Sequence, residues 1–229
     1  MKSSKWHAHG NVYLLVEQAD ALTPERAREL SCDTDGVLEV HGSNVTVWNP
    51  DGSVAEMSGN GARIAAAYLA RETGSREVSL RVGERDVRAS VEGDDVTLDV
   101  GGVDVGARET VDGIELTPVS VGNPHAVVRH DPADIRELGP RLENHPRFPE
   151  RTNVQLVRVD GEHDLTVAVW ERGAGETTAS GSSAIAAAAA AVTNGWCTSP
   201  VTVHMPGGDL HVELDGSDAR LTGPAVELA

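Results

Sequence analysis

Lysine is almost missing from this chain: of 19 basic residues only Lys2 and Lys5 are lysines, both within the first five positions. That scarcity argues against a pyridoxal-phosphate enzyme, which needs a Schiff-base lysine at its centre. Basic residues of any kind are outnumbered by 36 acidic ones, giving a net charge of −17. A nucleic-acid partner is disfavoured, because phosphate contacts need clustered Lys and Arg. Two readings of the acidity stand: a hydrated soluble surface, or adaptation to a salt-rich cytoplasm where carboxylates keep a protein dispersed. Cysteine is confined to Cys32 and Cys197, too few for a disulfide framework and without metal-ligand spacing, so both read as inert buried thiols. Aromatics make up only 3%, so small side chains must fill much of the interior.

Long apolar runs are missing as well. The stretch from Ala184 to Val192 is shorter than the roughly 20 residues of a membrane span. The N-terminus, MKSSKWHAHGNVY, has no apolar core of a secretory signal, so no membrane association and a cytoplasmic location are expected. No G-x-G-x-x-G or P-loop pattern occurs. Neither Ser58 nor Ser180 has the G-x-S-x-G elbow and histidine partner of a hydrolase. His7 and His9 form an H-x-H pair that a strand would place on one face, but no third ligand is indicated and no metal is expected.

What the chain does have is valine-rich patterning. Val12–Val16, Val37–His41, Val45–Trp48, Val78–Val82, Val87–Val91 and Val96–Val100 predict one set of short strands bounded by Gly, Asp or Asn. Thr117–Val121, Ala126–Arg129, Val154–Val159, Leu165–Trp170, Val201–His204 and Leu210–Leu214 predict a second. Helices are expected over Pro24–Leu30, Gly61–Glu72 and Ser183–Thr193, with a weaker one inside Pro132–Leu142. Thr23 and Pro24 suit a helix start, and Gly74 suits a helix end.

An internal repeat ties the two sets together. Ser58-Gly59-Asn60-Gly61-Ala62 opens one Ala-rich helix, and Ser180-Gly181-Ser182-Ser183-Ala184 opens another 122 residues later. Each follows a strand-like segment with an acidic residue, Val54–Met57 and Leu165–Arg172. Two similar halves with a boundary near Gly113 follow naturally: residues 1–113, with the last strand at about 218–229 a candidate to join them, and residues 114–217.

Helix N-termini present unpaired N–H groups and partial positive charge. They can hold a carboxylate or lower the pKa of a thiol placed there. Two such termini from matched halves could clamp an amino acid's carboxylate and set one side chain on each face of its α-carbon. Two-base stereoinversion has that requirement: one group removes the α-proton while the other delivers a proton opposite, with the dipoles stabilising enolate-like charge. The segments Ala55-Glu56-Met57-Ser58-Gly59-Asn60-Gly61-Ala62-Arg63 and Glu171-Arg172-Gly173-Ala174-Gly175-Glu176-Thr177 through Ser180-Gly181 resemble the two signature motifs of the diaminopimelate epimerase family. Lys5-Trp6 with Gly10-Asn11, Val121-Gly122-Asn123-Pro124-His125-Ala126, and Phe148-Pro149-Glu150-Arg151-Thr152-Asn153-Val154 agree, in the family's order. Proline racemases share the fold but resemble these segments less.

The resemblance implies an α+β fold of two pseudo-symmetric halves, each a curved, mostly antiparallel sheet wrapped around a central helix, with the site in the cleft between. It implies interconversion of LL- and meso-2,6-diaminopimelate without cofactor in lysine biosynthesis, a small amino-acid ligand, and a homodimer. By the same resemblance, substrate contacts fall to Asn11, Asn49, Asn60, Asn123, Asn153, Glu171 and Arg172, with backbone donors near Gly59, Gly181 and Ser182. These types suit a substrate with two carboxylates and two ammonium groups. Asparagine amides both donate and accept, and the arginine fork fits a carboxylate.

In the family, the positions of Ser58 and Ser180 are cysteines, the acid/base pair. A thiol has a pKa of about 8.5 that a helix terminus can lower. A serine hydroxyl is a far weaker acid, and no adjacent His or Lys in the sequence would activate it. The chain is therefore expected to bind substrate and epimerise it very slowly. Three readings stand: an epimerase whose thiols were deliberately replaced, a natural paralogue acting on another amino acid, and a catalytically dead protein that binds amino acids or a partner. Val12 replaces an acidic residue usual in the family, Ser31-Cys32-Asp33-Thr34 replaces a Gly-rich approach to Asp35-Gly36, and the chain is short; these bear on substrate preference.

Overall fold

Strand pairing runs through the same order twice along the chain. The structure, a computed structural model, describes residues 2–17, 20–55, 58–83 and 85–228. It divides into two compact units, residues 1–100 with 222–229 and residues 101–221. In the first, β1 (Lys2–Ala8) and β2 (Asn11–Glu17) form an antiparallel hairpin. Helix α1 (Pro24–Leu30) crosses over to β3 (Gly36–His41), parallel to β2, and β4 (Asn44–Trp48) returns antiparallel. Helix α2 (Gly59–Thr73) leads to β5 (Glu77–Val82), parallel to β4; β6 (Arg85–Glu92) and β7 (Asp95–Gly102) continue antiparallel.

In the second unit, β8 (Asp104–Val105) and β9 (Glu109–Val111) lie antiparallel on β10 (Ile114–Ser120), which pairs antiparallel with β11 (Pro124–Arg129). A 3-10 turn and α3 (Ile135–Glu143) cross over to β12 (Asn153–Val159), parallel to β11. Strand β13 (Asp164–Glu171) returns antiparallel with the short β14 (Gly175–Thr177) hairpinned onto its end. Helix α4 (Gly181–Thr193) leads to β15 (Val201–Met205), parallel to β13, and β16 (Gly208–Asp215) is antiparallel. Strand β17 (Asp218–Pro224) follows, then β18 (Val226–Glu227), which pairs with β1. Antiparallel, parallel, antiparallel, parallel, antiparallel: the order from β1 to β6 recurs from β10 to β16. Each parallel join carries a helix, because parallel neighbours need a long crossover. The architecture is α+β in two pseudo-symmetric halves, as the resemblance implies.

Small side chains explain how each half surrounds its helix. In α4 every residue from Ala184 to Ala191 is buried, the state expected of a helix apolar on all sides. The buried side of α2 includes Ala62, Ile64, Ala65, Ala66 and Tyr68, packed with Trp6, Leu15, Leu38, Val45, Leu80 and Leu98 from the surrounding strands. At the helix start Gly61 is required by contact: a Cβ there would lie 2.9 Å from Leu38 Cδ2. Around α3 a separate cluster joins Ile135, Leu138 and Leu142 to Val154, Leu156 and Phe148.

Three expectations need correction. The H-x-H pair does not share a strand, because β1 ends at Ala8 and His9 occupies the β1–β2 turn at φ +51°. Val121 falls beyond the end of β10. Of the strand expected over Val54–Met57, Val54 makes only an isolated bridge to Trp48, and positions 56 and 57 lie outside the described residues. Strand β1 went unpredicted because Lys and Ser dilute its pattern, although Trp6 and Ala8 alternate inward. Among the described residues no helix is long and apolar enough to cross a membrane.

Candidate functional site

Each half presents its Ser-Gly turn at the first turn of its buried helix. In the first unit Ser58 is the N-cap of α2, extended at φ −140° and ψ 111°, and its Oγ accepts the Gly61 N–H at 3.0 Å. The Tyr13 hydroxyl from β2 lies 3.4 Å from that oxygen. Gly59, Asn60 and Gly61 follow, all buried. Asn60 is fixed at both ends of its amide: Nδ2 donates to Asn11 Oδ1 at 2.5 Å, and Oδ1 accepts from Arg63 Nη2 at 2.8 Å. Asn11 and Asn60 therefore come together beside Ser58. Asn49 is tied elsewhere, into the Asn49–Ser53 turn, where its Nδ2 donates to Ser53 Oγ at 2.9 Å.

Arg63 was not among the expected site residues. Its guanidinium is fully buried one turn inside α2, with Nε near the Pro224 carbonyl and Nη1 without a hydrogen-bond partner among the described residues. Burial lowers its pKa to about 10, so it remains a cation at neutral pH. A buried positive charge thus stands behind the N-terminus of α2 and adds to the dipole there. The sequence hint was an arginine inside an otherwise apolar helix face.

In the second unit Ser180 is the N-cap residue of α4, extended at φ −147° and ψ 122°, but its side chain caps no helix amide. The Glu171 carboxyl at the end of β13 is set against its hydroxyl. Burial raises the pKa of Glu171, and the Ser180 bond works against that rise. Gly181 and Ser182 supply the first α4 amides, Gly181 buried and Ser182 half-buried. The sequence offered no histidine or lysine near Ser180, but the β13–β14 hairpin brings a carboxylate to it.

Asn153, at the start of β12, links the two other motifs of this half. Its Oδ1 accepts the Arg172 backbone N–H at 2.9 Å, and its Nδ2 donates to the Pro124 carbonyl at 2.8 Å. Beside it lies a buried polar chain that joins Asn123 and His125 of the expected motif to Gln155 and Ser183, two residues outside the expected site. Gln155 Nε2 is 3.0 Å from His125 Nδ1 and 3.0 Å from Ser183 Oγ, and His125 Nε2 is 2.9 Å from Asn123 Oδ1. Burial, reinforced by the nearby Arg172 cation, pushes the His125 pKa down to about 3. The imidazole is therefore neutral. Since Gln155 can only donate through Nε2, the ring accepts at Nδ1 and donates from Nε2 to Asn123. That turns the Asn123 NH₂ group away from the histidine. The hint was Gln155, a polar residue inside the apolar run of β12.

Among the described residues no group of three His, Cys, Asp or Glu could hold a metal ion. Cys32 is exposed, which corrects its reading as a buried thiol; Cys197 is buried, and burial raises its thiol pKa.

A family model described as diaminopimelate epimerase matches residues 3–105 and 117–228. The diaminopimelate epimerase of Pseudomonas fluorescens is 35% identical over 267 aligned positions, covering all of this chain and 97% of that protein. The diaminopimelate epimerase of Desulfitobacterium hafniense is 37% identical over 271, covering 99% and 95%. Among solved structures, a predicted epimerase from Pseudomonas aeruginosa superposes with a TM-score of 0.75 at 19% identity, covering 99% of this chain and 96% of that one. That last likeness speaks for the fold alone.

Proposed function

The chain belongs to the diaminopimelate epimerase family, and from that premise we propose that it is built to bind LL-2,6-diaminopimelate and invert one α-carbon without a cofactor. In this reading Ser58 and Ser180 occupy the acid/base positions, and inversion needs one such group on each side of the α-carbon. One accepts the α-proton, the other donates a proton opposite, and solvent restores both. Helix amides at Gly59, Asn60, Gly181 and Ser182 would receive carboxylate or enolate oxygens. Arg172 would take a carboxylate in its fork. Asn11 and Asn123 would order the remaining polar groups, with Asn60 and Asn153 holding neighbouring elements in place; Asn49 is the weakest member of the set.

The observation that carries the proposal is the buried Glu171 carboxyl set against the Ser180 hydroxyl at the N-terminus of α4. A carboxylate at that hydroxyl is what a proton-transfer residue needs and a mere N-cap does not. Yet this chain carries hydroxyls at both positions, Ser58 and Ser180, whose acidity is remote from working pH. The chain as it stands should therefore bind and scarcely turn over. The same reading places it in the cytoplasm as a homodimer, which sedimentation would test.

The decisive experiment follows α-proton exchange of LL-diaminopimelate in D₂O, comparing the chain with its Ser58→Cys/Ser180→Cys form. General acid–base groups contribute on the order of 10²–10⁴-fold each, so at least a hundredfold gain is expected. Binding without any gain points to a non-catalytic binder. A gain with another amino acid and no binding of diaminopimelate points to a different substrate.

A further inference from the structure

We propose that Glu143 is a positioning residue for the Glu171-Arg172 turn, an assignment that rests on the functional reading above. Glu143 ends α3 and is 5% exposed. Its Oε1 accepts the Gly173 backbone N–H at 2.8 Å and Arg151 Nη1 at 3.2 Å, and its Oε2 accepts the Trp170 indole N–H at 2.7 Å. Trp170 immediately precedes Glu171, and Gly173 immediately follows Arg172. One carboxylate thus brackets the pair from both sides.

The bracket is completed by Asn153. The Glu171–Ala174 turn closes with the Ala174 N–H on the Glu171 carbonyl at 3.1 Å. The two amides inside it, Arg172 and Gly173, go to Asn153 and Glu143. Both central peptide groups of the hairpin are therefore held by side chains from outside it. The fold makes particular provision for this. Gly139 lies one helical turn before Glu143, and a Cβ there would come within 2.7 Å of Trp170. Glycine lets α3 lie flat on the indole, and the next turn delivers the carboxylate to the indole N–H. Arg151, the other partner, is a non-glycine residue at φ +61°, a left-handed conformation that L side chains disfavour.

A buried carboxylate is costly to desolvate, and an apolar side chain would fill the space at less cost. What Glu143 alone supplies is acceptance at both oxygens at once. Glutamine has the same size but only one acceptor, so either orientation sets an NH₂ group against an N–H donor.

The test is Glu143→Gln in the Ser58→Cys/Ser180→Cys chain, measuring kcat and KM for α-proton exchange. Loosening the turn that carries Arg172 should raise KM for diaminopimelate about tenfold, with a smaller fall in kcat. Glu39→Gln is the control. Glu39 is also a buried carboxylate, bonded to Leu22 N–H, the Trp48 indole and His41 in the first unit. It should lower stability and leave KM unchanged. Should Glu143→Gln not fold, Trp170→Phe removes one donor only and should give the same KM rise in weaker form. Hydrogen exchange in the serine chain reads the bracket without catalysis: the Gly173 amide should exchange at least tenfold faster in Glu143→Gln. An unchanged Gly173 rate, an unchanged KM, or an equal KM rise in Glu39→Gln overturns the assignment. A cysteine parent that exchanges no α-proton sinks the functional reading instead, and the Gly173 rate still decides whether Glu143 holds the turn.

Discussion

Ser58 and Ser180 hold equivalent places in the repeat, each just before the first turn of a small-residue helix, yet their side chains do different things. Ser58 Oγ accepts an amide of its own helix. Ser180 makes no such bond and meets the Glu171 carboxyl. Among the described residues the charged neighbours differ in the same sense. A buried cation, Arg63, backs the first helix start, and a carboxyl stands at the second. Duplicated geometry has therefore not kept duplicated electrostatics. A group at position 58 sits where its anion is favoured, and one at position 180 where its proton is.

The largest measurable consequence concerns the buried basic groups. Arg63 stays charged at any ordinary pH, whereas His125 is kept neutral with a pKa of about 3 against a usual 6.5. Below pH 6.5 the unfolded chain binds a proton at His125 that the folded chain refuses. Stability contributed by the neutral imidazole is thus full above pH 6.5 and lost as pH falls towards 3. The slope is about 1.4 kcal/mol per pH unit. Denaturant titrations between pH 6.5 and 5 should show it in the native chain and lose it in His125→Gln, in a range where most carboxylates remain ionised. Hydrogen exchange should show the second unit opening first on acidification. A first unit that yields earlier would break the comparison.

Thiols sharpen it next. With Cys32 replaced by serine to remove the exposed background thiol, Ser58→Cys and Ser180→Cys should differ in reactivity towards iodoacetamide. Helix dipole and buried guanidinium favour a thiolate at position 58. The Glu171 carboxylate opposes one at position 180. About tenfold faster alkylation at position 58 near pH 7 is expected. Equal rates would mean that Arg63 and Glu171 are too distant or too well screened to matter.

Much of this was legible in the sequence, because repeats and helix starts are local. The Ser-Gly turns, the alanine helices and most strands follow from side-chain type, periodicity and glycine position. What was not legible is every interaction that joins distant segments. Glu171 lies nine positions before Ser180, and only the hairpin formed by β13 and β14 turns it back. Gln155 looks like a polar lapse in an apolar strand until His125 is placed beside it by the parallel register of β11 and β12. Glu143 looks like a surface helix end until α3 lies on Trp170. Asn49 and Asn153 were expected from the family resemblance, but their amides serve a turn and a strand-to-turn link. Residue type tells which groups can bond; register and packing choose their partners.

The smallest expected effect divides the two serines most directly. An N-cap side chain contributes about 0.5–2 kcal/mol because it satisfies an otherwise unpaired helix amide. Ser58→Ala removes that acceptor from Gly61, so it should cost about 1 kcal/mol in denaturant unfolding. Ser180→Ala removes no cap, and it also relieves Glu171 of a partner that holds its pKa down. Its cost at neutral pH should be the smaller, a few tenths of a kcal/mol on the scale of ordinary substitutions. Below the Glu171 pKa, where the carboxyl is neutral in both forms, even that difference should shrink. If the two alanine variants lose equal stability at neutral pH, Ser180 is a structural cap after all, and the asymmetry assigned to the two helix starts fails with it.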